Sequence, residues 1–455
     1  MTSPSAPPPP STPQGLALFT DLYELTMMQA YWAQDMMDTA VFSLFTRRLP
    51  PRRNYILACG LHTVLEQLET LCFTQADLGY LEGLELFSDG FLDYLGGFRF
   101  TGEVHAVEEG TPLFANEPLL EVIAPLPEGQ LIETLVMNQM HLQTVLASKA
   151  SRVVEAARGR PVLDFGARRI HGLDAALKGA RAFHIAGAAG TSNVLAGRLY
   201  GLPVKGTMAH SYIQAHEDEQ QAFLEFTRLY PDTVLLVDTY DTLQGVDRVI
   251  RLARELGPDF RVTAIRLDSG DLGSLSRQAR ERLDAAGLQG VGILVSGGLD
   301  EDEVDRLLRS GAPIDGFGVG TAMGISTDAP DLDMAYKLCE YAGRGRLKLS
   351  TGKPVLPGRK QVFRRPADAS EPGDVIARAG EALEGEPLLQ PVMADGRRLA
   401  PAPSPDALRQ RAQERMARLP AAVRGLSPAD PPYPVRVSEA LQAHQSAVAR
   451  ALSRE

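Results

Sequence analysis

Residues 233–268 read TVLLVDTYDTLQGVDRVIRLARELGPDFRVTAIRLD. An apolar run closes on Asp238, an amphipathic stretch closes on Gly257, and a second apolar run closes on Asp268. Helical spacing between two short β-rich runs describes a βα unit whose parallel strands are buried on both faces. The rhythm extends both ways. It predicts strands at PVLDF from Pro161, AFHIA from Ala182, LPVKGT from Leu202, VGILVS from Val291 and IDGFGVG from Ile314. EDEQQAFLEFTRLY (217–230), DLGSLSRQARERLDAAG (271–287) and DEDEVDRLLRSG (300–311) carry apolar residues at helical spacing, and two of them close on glycine. About seven such units predict an α/β fold centred on an irregular, TIM-like βα barrel, with an open doubly wound sheet as the alternative.

The polar residues cluster where such a barrel would place a site. Gly166 to Arg169, Gly206-Thr207, Asp238-Thr239, Arg266 to Asp271, Ser296 to Gly298 and Gly320-Thr321 all sit at or just past predicted carboxyl ends of strands. Each alone is ordinary turn chemistry. Six on one rim predict a shared site.

The bulk numbers narrow the class. The chain has 455 residues, 44% hydrophobic and 23% charged, with a net charge of −11. That acidity argues against a nucleic-acid partner. No apolar run reaches the roughly 20 residues of a spanning helix. Three scattered cysteines, Cys59, Cys72 and Cys339, predict reduced thiols in the cytoplasm. Residues 1–15, MTSPSAPPPPSTPQG, are expected to be a disordered Pro-rich tail rather than an export signal. Residues 16–146 and 345–455 are expected to pack into one flanking α+β domain, with FTGEVHAVEEGTPLFANEPLLEVIAP as a hairpin turning near EEGTP. Residues 147–344 are expected to form the barrel.

Three motifs carry chemistry. VSGGLDEDEV sets Ser296, Gly297 and Gly298 between a strand and a helix, where backbone N–H groups and the helix dipole favour an anion. GFGVGTAMG repeats this one strand later with Gly320 and Thr321. No GxxxxGK[ST] occurs, which argues against a P-loop. In IRLDSGDL, Arg266 and Asp268 share one strand face: either an internal ion pair, or an arginine for an anionic substrate beside an aspartate for ribose hydroxyls or Mg²⁺. In DFGARRIHG, Phe165 precedes two arginines, either core and solvated surface or a stacking ring with a carboxylate fork. The lone His210 of VKGTMAHSY has small neighbours and no companion at metal spacing.

These residues resemble a known family. TDLYELTM, DFGARR, GTSN, GTMAHS, LLVDTYDTLQGV, IRLDSGDL, GFGVGT and KLSTGKPVLPGRKQVFR occur in this order in nicotinate phosphoribosyltransferases, and the resemblance runs from about Phe19 to Arg364. It implies a homodimer with shared active sites. It also implies the reaction of nicotinate with phosphoribosyl pyrophosphate to nicotinate mononucleotide and pyrophosphate, in NAD salvage, with ATP as co-substrate and Mg²⁺. By matched position it implies that His210 is the phosphorylated histidine, with Asp238 as its orienting carboxylate. Tyr23, reaching in from the second subunit, and Phe165 would sandwich nicotinate. Arg169, Thr207 and Arg266 would hold its carboxylate and line the pocket. Ser296, Gly297, Gly298, Gly320 and Thr321 would receive the 5′-phosphate, and Asp268 the ribose hydroxyls or Mg²⁺. Arg47, Lys348 and Lys360 are candidate partners of pyrophosphate or ATP phosphates.

Three other readings compete. A nicotinamide enzyme of this kind carries Asp where this chain has Ser192, and Ser192 beside Arg169 favours an acid. A quinolinate enzyme uses no phosphohistidine and needs more cations. A non-enzymatic regulator binding phosphorylated ligands leaves Tyr23, His210 and Arg266 unexplained.

Overall fold

The computed structural model describes residues 16–349, 355–366 and 369–453; the expectation for residues 1–15 lies outside them. The described chain divides into two compact units, Lys149–Asp328 and the segments on either side of it.

Lys149–Asp328 is built on a parallel sheet of six strands. In spatial order they are Gly190–Thr191, Val162–Asp164, Gly316–Val319, Gly292–Ser296, Ala264–Leu267 and Val234–Leu236. Register is regular, with Leu294 opposite Arg266 and Val319 opposite Asp164. Each strand is two to five residues long and mostly buried, as strands covered on both faces must be. Helices Glu219–Leu229, Thr242–Leu256, Leu272–Ala285 and Glu301–Arg309 follow the predicted pattern. The side chains of Asp218, Asp241, Asp271 and Asp300 accept from the backbone N–H three residues on, so several aspartates of the rim are helix caps.

Two expectations are corrected. The sheet is an open half-barrel: a parallel bridge from Thr191 to Val204 is all that forms of the LPVKGT strand, and among the described residues no ladder joins it to Val234–Leu236. AFHIA is the last turn of the Leu173–Ile185 helix, whose residues from Ala175 onward are all buried. Burial on every side erases the 3.6 period, and an apolar run then looks like a strand.

The other unit holds a seven-stranded antiparallel sheet drawn from both chain ends, in the order Arg344–Gly345, Met334–Tyr341, Thr39–Thr46, Pro118–Pro125, Glu103–Ala106, Gln390–Ala394 and Arg397–Arg398. Thr39–Thr46 lies between Met334–Tyr341 and Pro118–Pro125, and the Phe42 and Tyr336 rings stack at 4.9 Å. Met334–Tyr341 therefore belongs here and not with the barrel, and the crossings fall at Ser148 and Asp328 rather than 146 and 344. The hairpin forms between Glu103–Ala106 and Pro118–Pro125, but Pro112–Leu113 leaves it to pair with Ile56–Leu57. A second sheet orders Glu386–Pro387, Lys360–Arg365, Gly373–Arg378 and Val435–Val437.

This second sheet holds a buried acid network. Arg364 forks onto Asp374, Tyr433 Oη donates to Asp374 Oδ1 at 3.0 Å, and Glu117 Oε2 accepts from Phe114 N at 2.8 Å. Burial first, then neighbouring Asp374, pushes the Glu117 carboxyl well above its usual range. The folded state thus keeps a proton that the unfolded chain releases near pH 4.3. Stability from this group is fully present below that pH and is lost as pH rises through the folded value. Glu117→Gln, whose amide can donate to Asp374 as the protonated acid does, should gain stability relative to wild type as pH rises from 4 to 8. Melting temperatures across that range check this, and a gain that does not grow with pH contradicts it.

Candidate active site

The carboxyl ends of the parallel strands bring most of the predicted residues together. His210 opens the short His210–Gln214 helix just past the Val204 bridge. Its Nδ1 lies 3.1 Å from Thr239 Oγ1, and its Nε2 lies 3.8 Å from Asp268 Oδ2. The ring is neither core nor free surface, with 38% of its side chain exposed.

Asp238 does not orient His210. Its Oδ2 accepts from Asp268 N at 2.9 Å and Ser269 Oγ at 2.7 Å, and its buried Oδ1 has no hydrogen-bond partner. It stands one residue too early: the next position, Thr239, faces the imidazole. Asp238 acts on the neighbouring loop and holds Asp268 in place. The second Asp268 oxygen, Oδ1, is taken by the Ser296 hydroxyl.

Arg266 rises half-buried from the centre of its strand end. One Nη donates to the Met208 carbonyl at 2.9 Å, and the guanidinium lies over the Phe165 ring, 5.9 Å from its centroid. Its Nε is buried without a partner. Burial draws its pKa below the usual range, opposed by Asp268 and Asp238. Thr207 Oγ1 meets the same Met208 carbonyl at 3.3 Å. Phe165 fits because residue 318 is glycine: a Cβ there would stand 2.5 Å from the ring.

The Phe165 turn hangs on Asp164. This buried carboxylate accepts from Gly166 N at 2.8 Å and from Thr191 Oγ1 at 2.6 Å. Burial pushes its pKa up against those two donors. Arg169 is exposed, and its Nη1 donates to Thr321 Oγ1 at 3.0 Å, so it stands with the glycine turns rather than with Arg266. In those turns Gly297 and Gly298 have φ of +88° and +65°, and a Cβ at Gly297 would lie 1.9 Å from Asp268 O. Only glycine allows that approach. Ser296 turns inward to Asp268, and the following helix is already capped by Asp300 with Glu301, Asp302 and Glu303 in its first turn. An anion here would meet the glycine amides and Thr321, not that helix end.

Tyr23, Arg47, Lys348 and Lys360 belong to the other unit. Tyr23 is 45% exposed on the Leu22–Ala33 helix; partial burial, then Glu133, raises its pKa. Arg47 Nη1 pairs with Asp333 at 3.0 Å, and Lys348 is exposed. Lys360 corrects the expectation of a phosphate partner. Its buried ammonium meets Glu121 Oε1 at 3.0 Å and the carbonyls of Gly358 and Leu356 at 2.6 and 3.2 Å, which uses all three donors.

Sequence profiles for the nicotinate phosphoribosyltransferase N-terminal domain, family and C-terminal domain match residues 18–141, 161–364 and 347–445. A nicotinate phosphoribosyltransferase of Mycobacterium tuberculosis is 58% identical over 424 residues, covering 93% of this chain and 92% of that one. The chain belongs to the nicotinate phosphoribosyltransferase family. The crystal structure of human nicotinic acid phosphoribosyltransferase superposes with a TM-score of 0.83 at 28% identity, over 94% of this chain and 99% of the other. That of a nicotinate-nucleotide pyrophosphorylase from Pyrococcus furiosus gives 0.73 at 25%, over 89% and 95%. In this family member the sequence reading put Thr239 on the rim without a role, and missed Asp164 and the Met208 carbonyl. The VDTYD and VLDFG runs offered a signal, a hydroxyl or carboxylate at a strand end; the carbonyl offered none.

Proposed function

We propose that the chain transfers the phosphoribosyl group of phosphoribosyl pyrophosphate to nicotinate, giving nicotinate mononucleotide and pyrophosphate. The reaction belongs to NAD salvage in the cytoplasm, and ATP is hydrolysed through a phosphohistidine at His210. The observation that carries this reading is the setting of His210. In the tautomer that donates from Nδ1 to Thr239 Oγ1, 3.1 Å away, the Nε2 lone pair is directed into the site. That nitrogen attacks the γ-phosphorus of ATP, the bond to ADP breaks, and water later takes the phosphoryl group.

Transfer itself asks for positioning and charge stabilisation as the ribose carbon gains oxocarbenium character. Arg266, with its spare buried Nε, holds the nicotinate carboxylate; Phe165 and Thr207 wall the pocket. Gly297, Gly298, Gly320, Thr321 and Arg169 receive the 5′-phosphate, and Asp268, braced by Ser296 and Asp238, takes ribose hydroxyls. Among the described residues no group of three His, Cys, Asp or Glu is arranged to hold a metal. The donors fit Mg²⁺ carried by substrate phosphates with Asp268 as protein ligand. Such an ion would neutralise charge on departing pyrophosphate.

The test is a product assay with nicotinate, nicotinamide and quinolinate, with and without ATP. Nicotinate should be used and stimulated by ATP. Losing a charge-assisted contact costs about 1.5–3 kcal/mol, so Arg266→Ala should weaken nicotinate roughly tenfold to hundredfold while ATP affinity holds. Equal use of nicotinamide by the wild type would falsify the acid pocket.

Tyr23, exposed on its helix, supports a homodimer in which it stacks on nicotinate in the partner's site. Tyr23→Ala and His210→Ala homodimers should both lack ATP-stimulated turnover, and subunit exchange should restore it at about one site per mixed dimer. No recovery, with exchange shown by mass, would place Tyr23 in its own chain's site.

A further inference from the structure

A cavity of ≈ 650 Å³ opens beside the second sheet of the flanking unit, and none of the residues assigned to catalysis lines it. Its size suits a mononucleotide-scale ligand. The chain is strongly acidic overall, with a net charge of −11, yet Arg364, Arg365, Arg415 and Arg418 face this space against Glu384 and Glu386.

Among the described residues, the arginines around this space share carboxylates rather than pairing one to one. Arg364 is committed: it forks onto Asp374 and lies over the Phe114 and Tyr433 rings at 5.7 and 6.0 Å. Arg415 and Arg418 share one carboxylate, Glu386, at 2.9 and 3.8 Å. Arg365 and Arg436 share Glu371 at 3.0 and 3.8 Å, and Arg365 Nε is buried without a hydrogen-bond partner. Burial pulls the Arg415 guanidinium below its usual range, with Glu386 opposing and Arg364, Arg411 and Arg418 adding to the effect. Arg365 and Arg415 are largely buried and Arg418 is exposed at the mouth, and positive charge gathered on shared carboxylates is relieved by an anion.

The walls are equally specific. Gly385, at φ +124°, brings the Glu384–Glu386 turn so close that a Cβ would lie 2.8 Å from Arg364 O. Leu419, Pro420 and Pro434 add apolar surface to the lining, of the kind that takes the body of a ligand rather than a bare ion.

We propose that this pocket is a second ligand site, separate from the His210 site, which binds a phosphorylated small molecule of mononucleotide size through Arg365, Arg415 and Arg418. Glu386 is the internal anion that the ligand phosphate displaces.

Calorimetric titration of the full chain with ADP at low salt tests this by difference, whatever ADP does at the His210 site. Wild type should hold one equivalent more than the Arg415→Ala/Arg418→Ala variant, whose affinity at this pocket should fall at least roughly tenfold. Glu386→Gln should act in the opposite direction, tightening that equivalent severalfold and steepening its loss with added salt. This second variant keeps the test decisive if the double variant folds poorly, since removing a merely structural ion pair would not improve binding. An equivalent bound as tightly by the double variant as by wild type, or no gain in Glu386→Gln, overturns the proposal. Because the His210 site is intact in all three proteins, its own binding reports separately on the proposed catalysis.

Discussion

His210→Ala is expected to erase the stimulation of turnover by ATP and to leave only slow, ATP-independent synthesis. The imidazole is a half-exposed nucleophile with an oriented partner: Thr239 Oγ1 at 3.1 Å fixes the ring, and Nε2 faces the space beside Asp268. Alanine removes the acceptor and every route through a phosphoryl-enzyme. Incubation with γ-labelled ATP, followed by acid and base treatment, should give an acid-labile, base-stable label on wild type and none on the variant. Thr239→Val should label more slowly without losing the label, because it frees the tautomer without deleting the nucleophile. A labelled His210→Ala protein, or unchanged ATP stimulation in it, would remove His210 from the mechanism.

Lys149→Met should destabilise the Lys149–Asp328 unit by about 3–5 kcal/mol, the usual cost of removing one partner of a buried ion pair. The ammonium is only 2% exposed. It reaches Glu301 and, at 2.7 Å, Asp328, while Arg152 Nε donates to the other Glu301 oxygen at 3.0 Å. Lys149 and Asp328 are the residues at which the chain enters and leaves this unit, so one cation ties both crossings to the helix that begins at Glu301. Methionine fills the volume but removes the charge facing two carboxylates. The exposed pair Arg158–Asp305, at 2.7 Å, is the control: Arg158→Ala should cost no more than about 1 kcal/mol. Hydrogen exchange of amides in 149–328 reads this unit alone, which a single melting curve of a two-unit chain does not. Equal protection in the two variants would show that the buried pair contributes no more than the exposed one.

Much of the fold was legible from period alone. The helices from Glu219, Thr242, Leu272 and Glu301 lie where amphipathic spacing put them, because each keeps one face in water. The Leu173–Ile185 helix was not legible, because no face of it is wet after Ala175. Met334–Tyr341 was assigned to the wrong unit for a related reason. An apolar strand states that it is covered but not by what, and its partner Thr39–Thr46 lies nearly 300 positions away.

The site divides in the same way. The sequence by itself determined which chemistry gathers at the strand ends: a lone histidine among small residues, an arginine two before an aspartate on one strand face, and paired glycines where backbone must approach closely. These depend on residue type and short spacing, which local geometry makes visible. Tertiary structure alone decided the pairings. It gave His210 a threonine instead of Asp238, turned Ser296 inward to Asp268, set Arg266 over Phe165, and enclosed Lys360 with Glu121. Each of these joins residues about 28 to 240 positions apart, and which of two neighbouring side chains at a strand end faces the partner is set by the pleat and by what packs on either side. That choice is made by the folded neighbours, not by the local sequence.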